Sequence, residues 1–324
     1  MAKMRLGFDI GGSSVKVAVL QGGACRIEEV PLPENMVDGS GAITLPHAFV
    51  QFLKQMKKDL ALPWGRAALI LPPSQVICRL VTMPRMTTEQ LLMNLPYEFA
   101  DFIQGAADQY YCDYAVCEPF GEEEGVPMMA AAAMKQRLAE YGRIFSQAGL
   151  RLDTVLPQEM ALINLAQVQQ GGTKEFCFVD LGHYNTRITV IWQDRVQATR
   201  QLSLGGRSLD LVVADELGVD AFLACAYKQR NFQNVLEAPA VGEVCERIAV
   251  EILKVVNFYQ FTYRASDLQG IYLVGGGAAI PPLRRAIEAT VGMPLLDAAA
   301  LLPGAAAGAA TGIFAAGAAM GGMR

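Results

Sequence analysis

Asp9-Ile10-Gly11-Gly12-Ser13-Ser14-Val15-Lys16 and Asp180-Leu181-Gly182-His183-Tyr184-Asn185-Thr186-Arg187 decide how this chain is read. In each, a carboxylate ends an apolar run, a glycine two residues later turns the chain, and a second run returns. Around the first, Arg5 to Asp9 and Val15 to Leu20 read as strands, Gln21-Gly22-Gly23 as a hairpin turn, and Cys25 to Val30 as the returning strand. Around the second, Glu175 to Asp180, Arg187 to Trp192 and Val196 to Leu202 repeat that order, with the turn at Gln193-Asp194. A repeat of strand, Asp-x-Gly, strand, hairpin and strand predicts two like halves, with Asp9 and Asp180 in equivalent places.

The chemistry follows from the pattern. An acidic strand end followed by a tight turn brings several backbone N–H groups together. Gly11, Gly12, Ser13 and Ser14 would wrap the β- and γ-phosphates of a nucleotide, with Lys16 as a point charge on their oxygens. Asp9 would hold a hydrated Mg2+. A glycine-rich hairpin with a surface lysine is the plain alternative, and on this turn alone the two readings are balanced. The second turn offers Gly182, Asn185 and Thr186, so that two facing turns would pinch a polyphosphate between the halves. His183 and Tyr184 are bulky for such a turn, and His183 reads as a loop hydrogen bond rather than a catalytic base.

A third motif, Gly275-Gly276-Gly277, follows the apolar run Ile271 to Val274 and would let backbone approach a flat ligand closely. Ile280 stands where a dinucleotide fingerprint needs its last glycine, and the chain has no GxxxxGK[ST]. On the helix expected from about Glu243 to Tyr263, Arg247, Glu251 and Lys254 share one face. Arg247 reads as solvated; Glu251 and Lys254 read equally well as solvated or as edging a purine and ribose.

Composition narrows the class. Of 324 residues, 52% are hydrophobic and 18% charged, which excludes a disordered chain, and a net charge of −5 disfavours a nucleic-acid binder. The seven cysteines contain no CxxC and most lie in apolar runs, so buried free thiols in a reducing compartment are expected. With His47 and His183 as the two histidines, a zinc site is not expected. The start lacks a signal-peptide core, and Glu122-Glu123-Glu124 is short enough for a turn. Ala298 to Gly322 is long and apolar, but rich in alanine and glycine and broken by Pro303. It reads as a loop and a tightly packed buried helix rather than a membrane span.

Between the repeats, helices are expected at about Leu45 to Leu60 and from Pro157 to about Val168, the latter ended by Gly171-Gly172 and linking the halves. The segment from Gln75 to Leu156 reads β-α-β-β-α-β. Its parts are Val76 to Met83, a helix capped by Thr87 and kinked at Pro96 on its way to Ile103, Tyr110 to Val116, Val126 to Met134 around a Gly121–Gly125 turn, Lys135 to Gln147, and Arg151 to Val155. That order predicts a small sheet with helices on one face.

Asp9-x-Gly…Lys16, Asp180-x-Gly and Gly275-Gly276-Gly277, in this order, resemble the phosphate-1, phosphate-2 and adenosine motifs of the actin-like ATPase superfamily. The helix after Pro157 and Gly312 to Gly317 sit where that superfamily has its two connecting segments. The inserted unit is similar to subdomain 1C of the FtsA and PilM families. The ordered set Leu71-Pro72-Pro73-Ser74-Gln75-Val76, Thr82-Met83-Pro84-Arg85-Met86-Thr87, Leu204-Gly205-Gly206-Arg207-Ser208-Leu209 and Glu251-Ile252-Leu253…Asn257-Phe258-Tyr259 favours the PilM family of type IV pilus assembly proteins. The resemblance spans essentially the whole chain. It implies an α/β actin-like fold of two RNase-H-like domains, with 1–74, 156–170 and 297–324 as subdomain 1A, 75–155 as 1C and 171–296 as 2A/2B.

The resemblance further implies ATP and Mg2+ as ligands, and Asp9 and Asp180 as the acids that organise metal and water. Gln158 or Glu159 would position water, Lys16 would hold phosphate, and Gly275 to Gly277 would hold adenosine. It implies a cytoplasmic scaffold recruited to the inner face of the membrane by the N-terminal tail of a PilN-type bitopic protein, with no insertion of its own. That tail is expected in the seam beside the inserted unit, where Met83, Met86, Leu91 and Leu92 could form an adaptable wall. Gly12 stands where actin has a serine, with Ser13 or Ser14 as substitutes, and this departure together with His183-Tyr184 argues for slow hydrolysis. A small-molecule kinase of the same superfamily is the first rival, though the chain lacks an Asn-Asp dipeptide. An FtsA-like filament is the second, though the tail lacks a basic amphipathic helix.

Overall fold

In the computed structural model, the described residues are 4–62, 65–117, 125–168, 175–193, 195–264, 266–304 and 308–321. The turns expected at Glu122-Glu123-Glu124 and Gly171-Gly172, and Asp194 of the second hairpin turn, lie outside them, as does most of the Gly121–Gly125 turn.

The repeat is visible in the strand order. In the first half β1 (Arg5–Ile10), β2 (Ser14–Gln21) and β3 (Ala24–Pro31) form the antiparallel run. After α1 (Pro46–Asp59), β4 (Arg66–Leu71) adds parallel to β1. The chain then passes through β5 (Val76–Met83), α2 (Thr88–Asn94), β6 (Tyr110–Val116), β7 (Val126–Met134) and α3 (Lys135–Gln147). It returns as β8 (Arg151–Pro157), which completes a sheet of order β3-β2-β1-β4-β8. Helix α4 (Gln158–Val168) crosses to the second half. There β9 (Glu175–Leu181), β10 (Thr186–Trp192) and β11 (Arg195–Leu202) precede α5 (Gly206–Leu217), α6 (Ala221–Gln229) and α7 (Pro239–Thr262). Then come β12 (Ile271–Val274), α8 (Pro281–Val291) and β13 (Leu295–Leu296), giving the order β11-β10-β9-β12-β13. The two sheets thus share one topology.

Two sequence expectations are corrected here. Arg151–Pro157 does not join the inserted sheet. It pairs in parallel with β4, and the insert is a three-stranded sheet of order β5-β7-β6. The physical reason is apolar docking, since Tyr141, Ile144 and Phe145 of α3 bury against Phe8 and its neighbours in the first half. The second correction is α2, which stops at Asn94. Its Thr87–Gln90 capping box forms as read, but Pro96 lacks an N–H and forces a 3-10 turn over Leu95–Phe99.

Strand β7 alternates its faces. Met128, Ala130 and Ala132 build the insert's own core with Val81, Leu91 and Phe99, whereas Met129 and Ala133 face the main body. Met83 and Leu91 are buried in that small core and Met86 packs on it, while Leu92 is exposed. The four residues expected to wall a seam therefore mostly seal the insert itself.

Between the two sheets lies the alanine-rich tail. Helix α9 (Ile313–Met320) is buried at every residue and packs on α4 and on β1. A Cβ on Gly317 would lie 2.3 Å from the Ala161 carbonyl oxygen, and one on Gly7 would lie 1.8 Å from that of Ala315. Small residues there let backbone meet backbone. Among the described residues, no helix is long and apolar enough to cross a membrane. All seven cysteines are free, four of them buried.

Candidate functional site

The two Asp-x-Gly turns face each other across a cleft of about 720 Å³. They close in the same way, Gly11 N–H donating to Ser14 O and Gly182 N–H to Asn185 O, each at 3.0 Å. Strand register then builds two equivalent rows. Asp9 of β1 stands opposite Lys16 of β2, which stands opposite Glu29 of β3. Asp180 of β9 stands opposite Arg187 of β10, which stands opposite Gln201 of β11. All six residues line the cleft.

Burial and mutual repulsion set the charge of the two acids. Burial raises the Asp9 carboxyl, against the pull of Lys16 and with the push of Glu29. Burial, then the negative charge of Asp9, pushes Asp180 up to about 7, while Lys16 and Arg187 oppose the shift. Two carboxylates that repel each other this way ionise together more readily when positive charge is near. Because the folded protein holds the Asp180 proton that the unfolded chain gives up near 3.8, this group's stabilisation is full below that pH and lost as pH rises through about 7. The ligand-free protein is therefore expected to lose stability between about pH 4 and pH 7 from this group, and to lose no more from it at higher pH. Urea midpoints across that range should flatten in Asp180→Asn, and an unchanged slope would reject the assignment.

The other expected site residues separate into those at the cleft and those away from it. Gly11, Gly12, Ser13, Ser14, Lys16, Gly182, Asn185 and Gly275 to Gly277 all line it. Gly275 has φ +81, and a Cβ there would sit 2.3 Å from Asp180 Oδ1, so the first glycine holds backbone directly against the acid. Gln158 lines the cleft, but Glu159 is ion-paired with Arg187 and is not among the lining residues. Thr186 is fully buried and donates its hydroxyl to Leu204 O at 2.8 Å, so that hydroxyl is not presented to a ligand. Glu251 and Lys254 lie away from the cleft and pair with each other at 2.6 Å on the surface of α7.

Two departures in the turns are one packing solution. A Cβ on Gly12 would meet the Tyr184 ring at 2.9 Å, so a serine in the first turn would require that ring to move. Tyr184 in turn packs edge-on to His183, with ring centroids 4.6 Å apart. His183 is held by the fold, its carbonyl accepting from Arg207 N–H at 2.7 Å and its Nδ1 lying 3.6 Å from Asp210 Oδ2. Burial lowers its pKa against the pull of Asp210.

Sequence reasoning missed Asp210 and Lys228. Both are buried, Lys228 Nζ lies 2.6 Å from Asp210 Oδ1, and it donates to Gly206 O at 3.0 Å. Lys228 and Gln229 of α6, with Leu236, Ala279 and Ile280, line the cleft where Glu251 and Lys254 were expected. Glu29 was also missed, although the hairpin turn was enough to place it.

Two RNase-H-like halves of one topology, joined by α4 and α9 around a cleft carrying both Asp-x-Gly turns, define the actin-like ATPase fold. Within it, the chain belongs to the PilM family of type IV pilus assembly proteins, whose family model matches residues 7–298. Among solved structures, a PilM-PilN type IV pilus biogenesis complex is similar with a TM-score of 0.82 at 22% identity, covering 99% of this chain and 98% of that one. The ethanolamine utilization protein EutJ from Carboxydothermus hydrogenoformans is similar with a TM-score of 0.60 at 17% identity, covering 99% and 90%. Component A of the (R)-2-hydroxyglutaryl-CoA dehydratase of Acidaminococcus fermentans reaches 0.50 at 12% identity, covering 98% and 97%.

Proposed function

We propose that this cleft binds ATP with Mg2+, and that the protein is a nucleotide-responsive scaffold of a type IV pilus inner-membrane assembly. The observation that carries the reading is the pair of acids, Asp9 buried and Asp180 half-buried, brought to one cleft by two turns that close with the same hydrogen bond. The residues present fit the ligand. The cradle at Gly275 and Gly277 would be filled by any Cβ, which would meet Asp180 or Leu181. Among the described residues, no cluster of three or more acids, histidines or cysteines could hold a metal alone. Asp9 and Asp180 are the residues that would hold a hydrated Mg2+. Bound there, the metal would neutralise phosphate charge. Lys16 and the backbone N–H groups of the first turn would fix the phosphates, and Gly275 to Gly277 with α6 would receive the base and ribose. Gln158 is the residue left to orient water, since Glu159 is held by Arg187. With Tyr184 against the first turn, hydrolysis would be slow.

A PilN-type membrane protein is the proposed partner, docking through its N-terminal cytoplasmic tail and recruiting the scaffold to the inner face of the membrane. The insert supports this reading with exposed Leu92, Met93, Tyr97 and Phe102 along α2 and the segment after it.

Mg-ATP at about a hundred times its Kd should stabilise the fold by about 2.7 kcal/mol and raise the melting temperature. Asp9→Ala should weaken binding about 10- to 100-fold. A melt unmoved by saturating Mg-ATP, with no heat on titration, would remove the nucleotide reading.

A further inference from the structure

The rows across the two halves differ in charge at one position. Each runs acid, base, third residue, and the third is Gln201 in the second half but Glu29 in the first. In the second half the base is already matched, because Arg187 pairs with Glu159 from α4, and Gln201 lies beside it with Oε1 at 3.5 Å from the guanidinium. In the first half Glu29 engages the residues of the phosphate turn itself. Its Oε1 accepts from Ser14 Oγ at 2.6 Å and lies 3.8 Å from Lys16 Nζ. Lys16 is nearly buried, whereas the Glu29 side chain is 39% exposed and lines the cleft.

A phosphate oxygen arriving at Lys16 and Ser14 would meet that carboxylate. It would compete for the same hydroxyl proton and the same ammonium, and it would be repelled by a like charge. The phosphate end of the cleft already carries Asp9 and Asp180, with Arg187 committed elsewhere. Glu29 therefore adds negative charge where a polyphosphate needs the opposite.

We propose that Glu29 is an internal anion that occupies Ser14 and Lys16 in place of phosphate and thereby sets how tightly the cleft takes a polyphosphate. The proposal rests on the nucleotide reading above and deepens it. Glu29 is an affinity-setting, positioning residue that must swing aside, and its exposure leaves it room to do so.

The test is Glu29→Gln, which copies the second half, keeps an oxygen to accept from Ser14 and removes the charge. Calorimetric titrations would use Mg-ATP, Mg-pyrophosphate and adenosine on the wild type, Glu29→Gln, Lys16→Ala and the double variant. The expected result is about tenfold tighter binding of ATP and pyrophosphate by Glu29→Gln, with adenosine unchanged. The gain should shrink when Lys16 is also replaced, because the competition for its ammonium is then gone, a coupling that a merely structural hairpin contact would not produce. Glu29→Asp, which keeps the charge one methylene back, should lie between wild type and Glu29→Gln. Wild-type binding with no tightening in Glu29→Gln overturns the role of Glu29 and leaves the nucleotide reading standing. No binding of ATP or pyrophosphate by either folded protein overturns both. Binding by Glu29→Gln where the wild type gives none supports both.

Discussion

Gly317→Leu is expected to leave no cooperatively folded protein. Gly317 lies on α9 at its crossing with α4, where an added Cβ would sit 2.3 Å from the Ala161 oxygen and 2.7 Å from its carbonyl carbon. The obstacle is backbone in a buried helix, so no side chain can swing away. Asn164 Nδ2 also donates to Gly317 O at 3.0 Å, tying the two helices in this register. Over-packing a core costs about 1–3 kcal/mol where side chains can shift, and more where they cannot. Separating two helices that both halves pack against would consume most of a typical stability of about 5–15 kcal/mol. Gly317→Ala should already cost about 3 kcal/mol. Gly142, in α3 with nothing within 4 Å of an added Cβ, is the control, and Gly142→Ala should gain about 0.5–1 kcal/mol. Urea denaturation of the three variants measures this, and a Gly317→Leu protein with a normal midpoint would show that the helices are not in contact as described.

The same crossing shows what can be read before folding and what cannot. Both strand triplets and both turns are legible because each is a local solution, an apolar run, an Asp-x-Gly and a return, and the repetition points to one topology twice. The tail is legible as buried because alanine and glycine in a long uncharged run suit close packing better than lipid. Glu29 was within reach, since a turn that pairs Gln21 with Ala24 places Lys16 opposite Glu29 by counting back along the hairpin. Parallel pairing is different. Nothing local in Arg151–Pro157 says whether it continues the insert or returns to β4, and that choice is made by α3 docking on the first half. Glu251 and Lys254 misled because i, i+3 spacing serves a surface pair as well as a ligand. Asp210 and Lys228 each look like an ordinary helix charge, and only the packing of α5 on α6 brings them together.

That buried pair supports the second large effect. Asp210 is 1% exposed and Lys228 6%, with Nζ 2.6 Å from Oδ1. Removing one member of such a pair costs about 3–5 kcal/mol, because the other charge stays out of water. Lys228→Ala should lose that much in urea denaturation, and the loss should reach the second turn. Lys228 also donates to Gly206 O, and the N–H groups of Gly206 and Arg207 hold the Gly182 and His183 carbonyls at 2.9 and 2.7 Å. His183 supplies the diagnostic. Burial lowers its pKa first, and the positive charge of Lys228 adds to that against the pull of Asp210. With Lys228 gone, Asp210 is opposed by less positive charge, so the imidazole should protonate at higher pH than in the wild type. The chain has two histidines and His47 is exposed, so proton NMR can follow each separately. Asp210→Asn should move His183 the other way, downward. A Lys228→Ala protein that loses less than about 1 kcal/mol, with His183 titrating as before, would mean that the buried pair does not support the fold and that the second turn is held by its backbone alone.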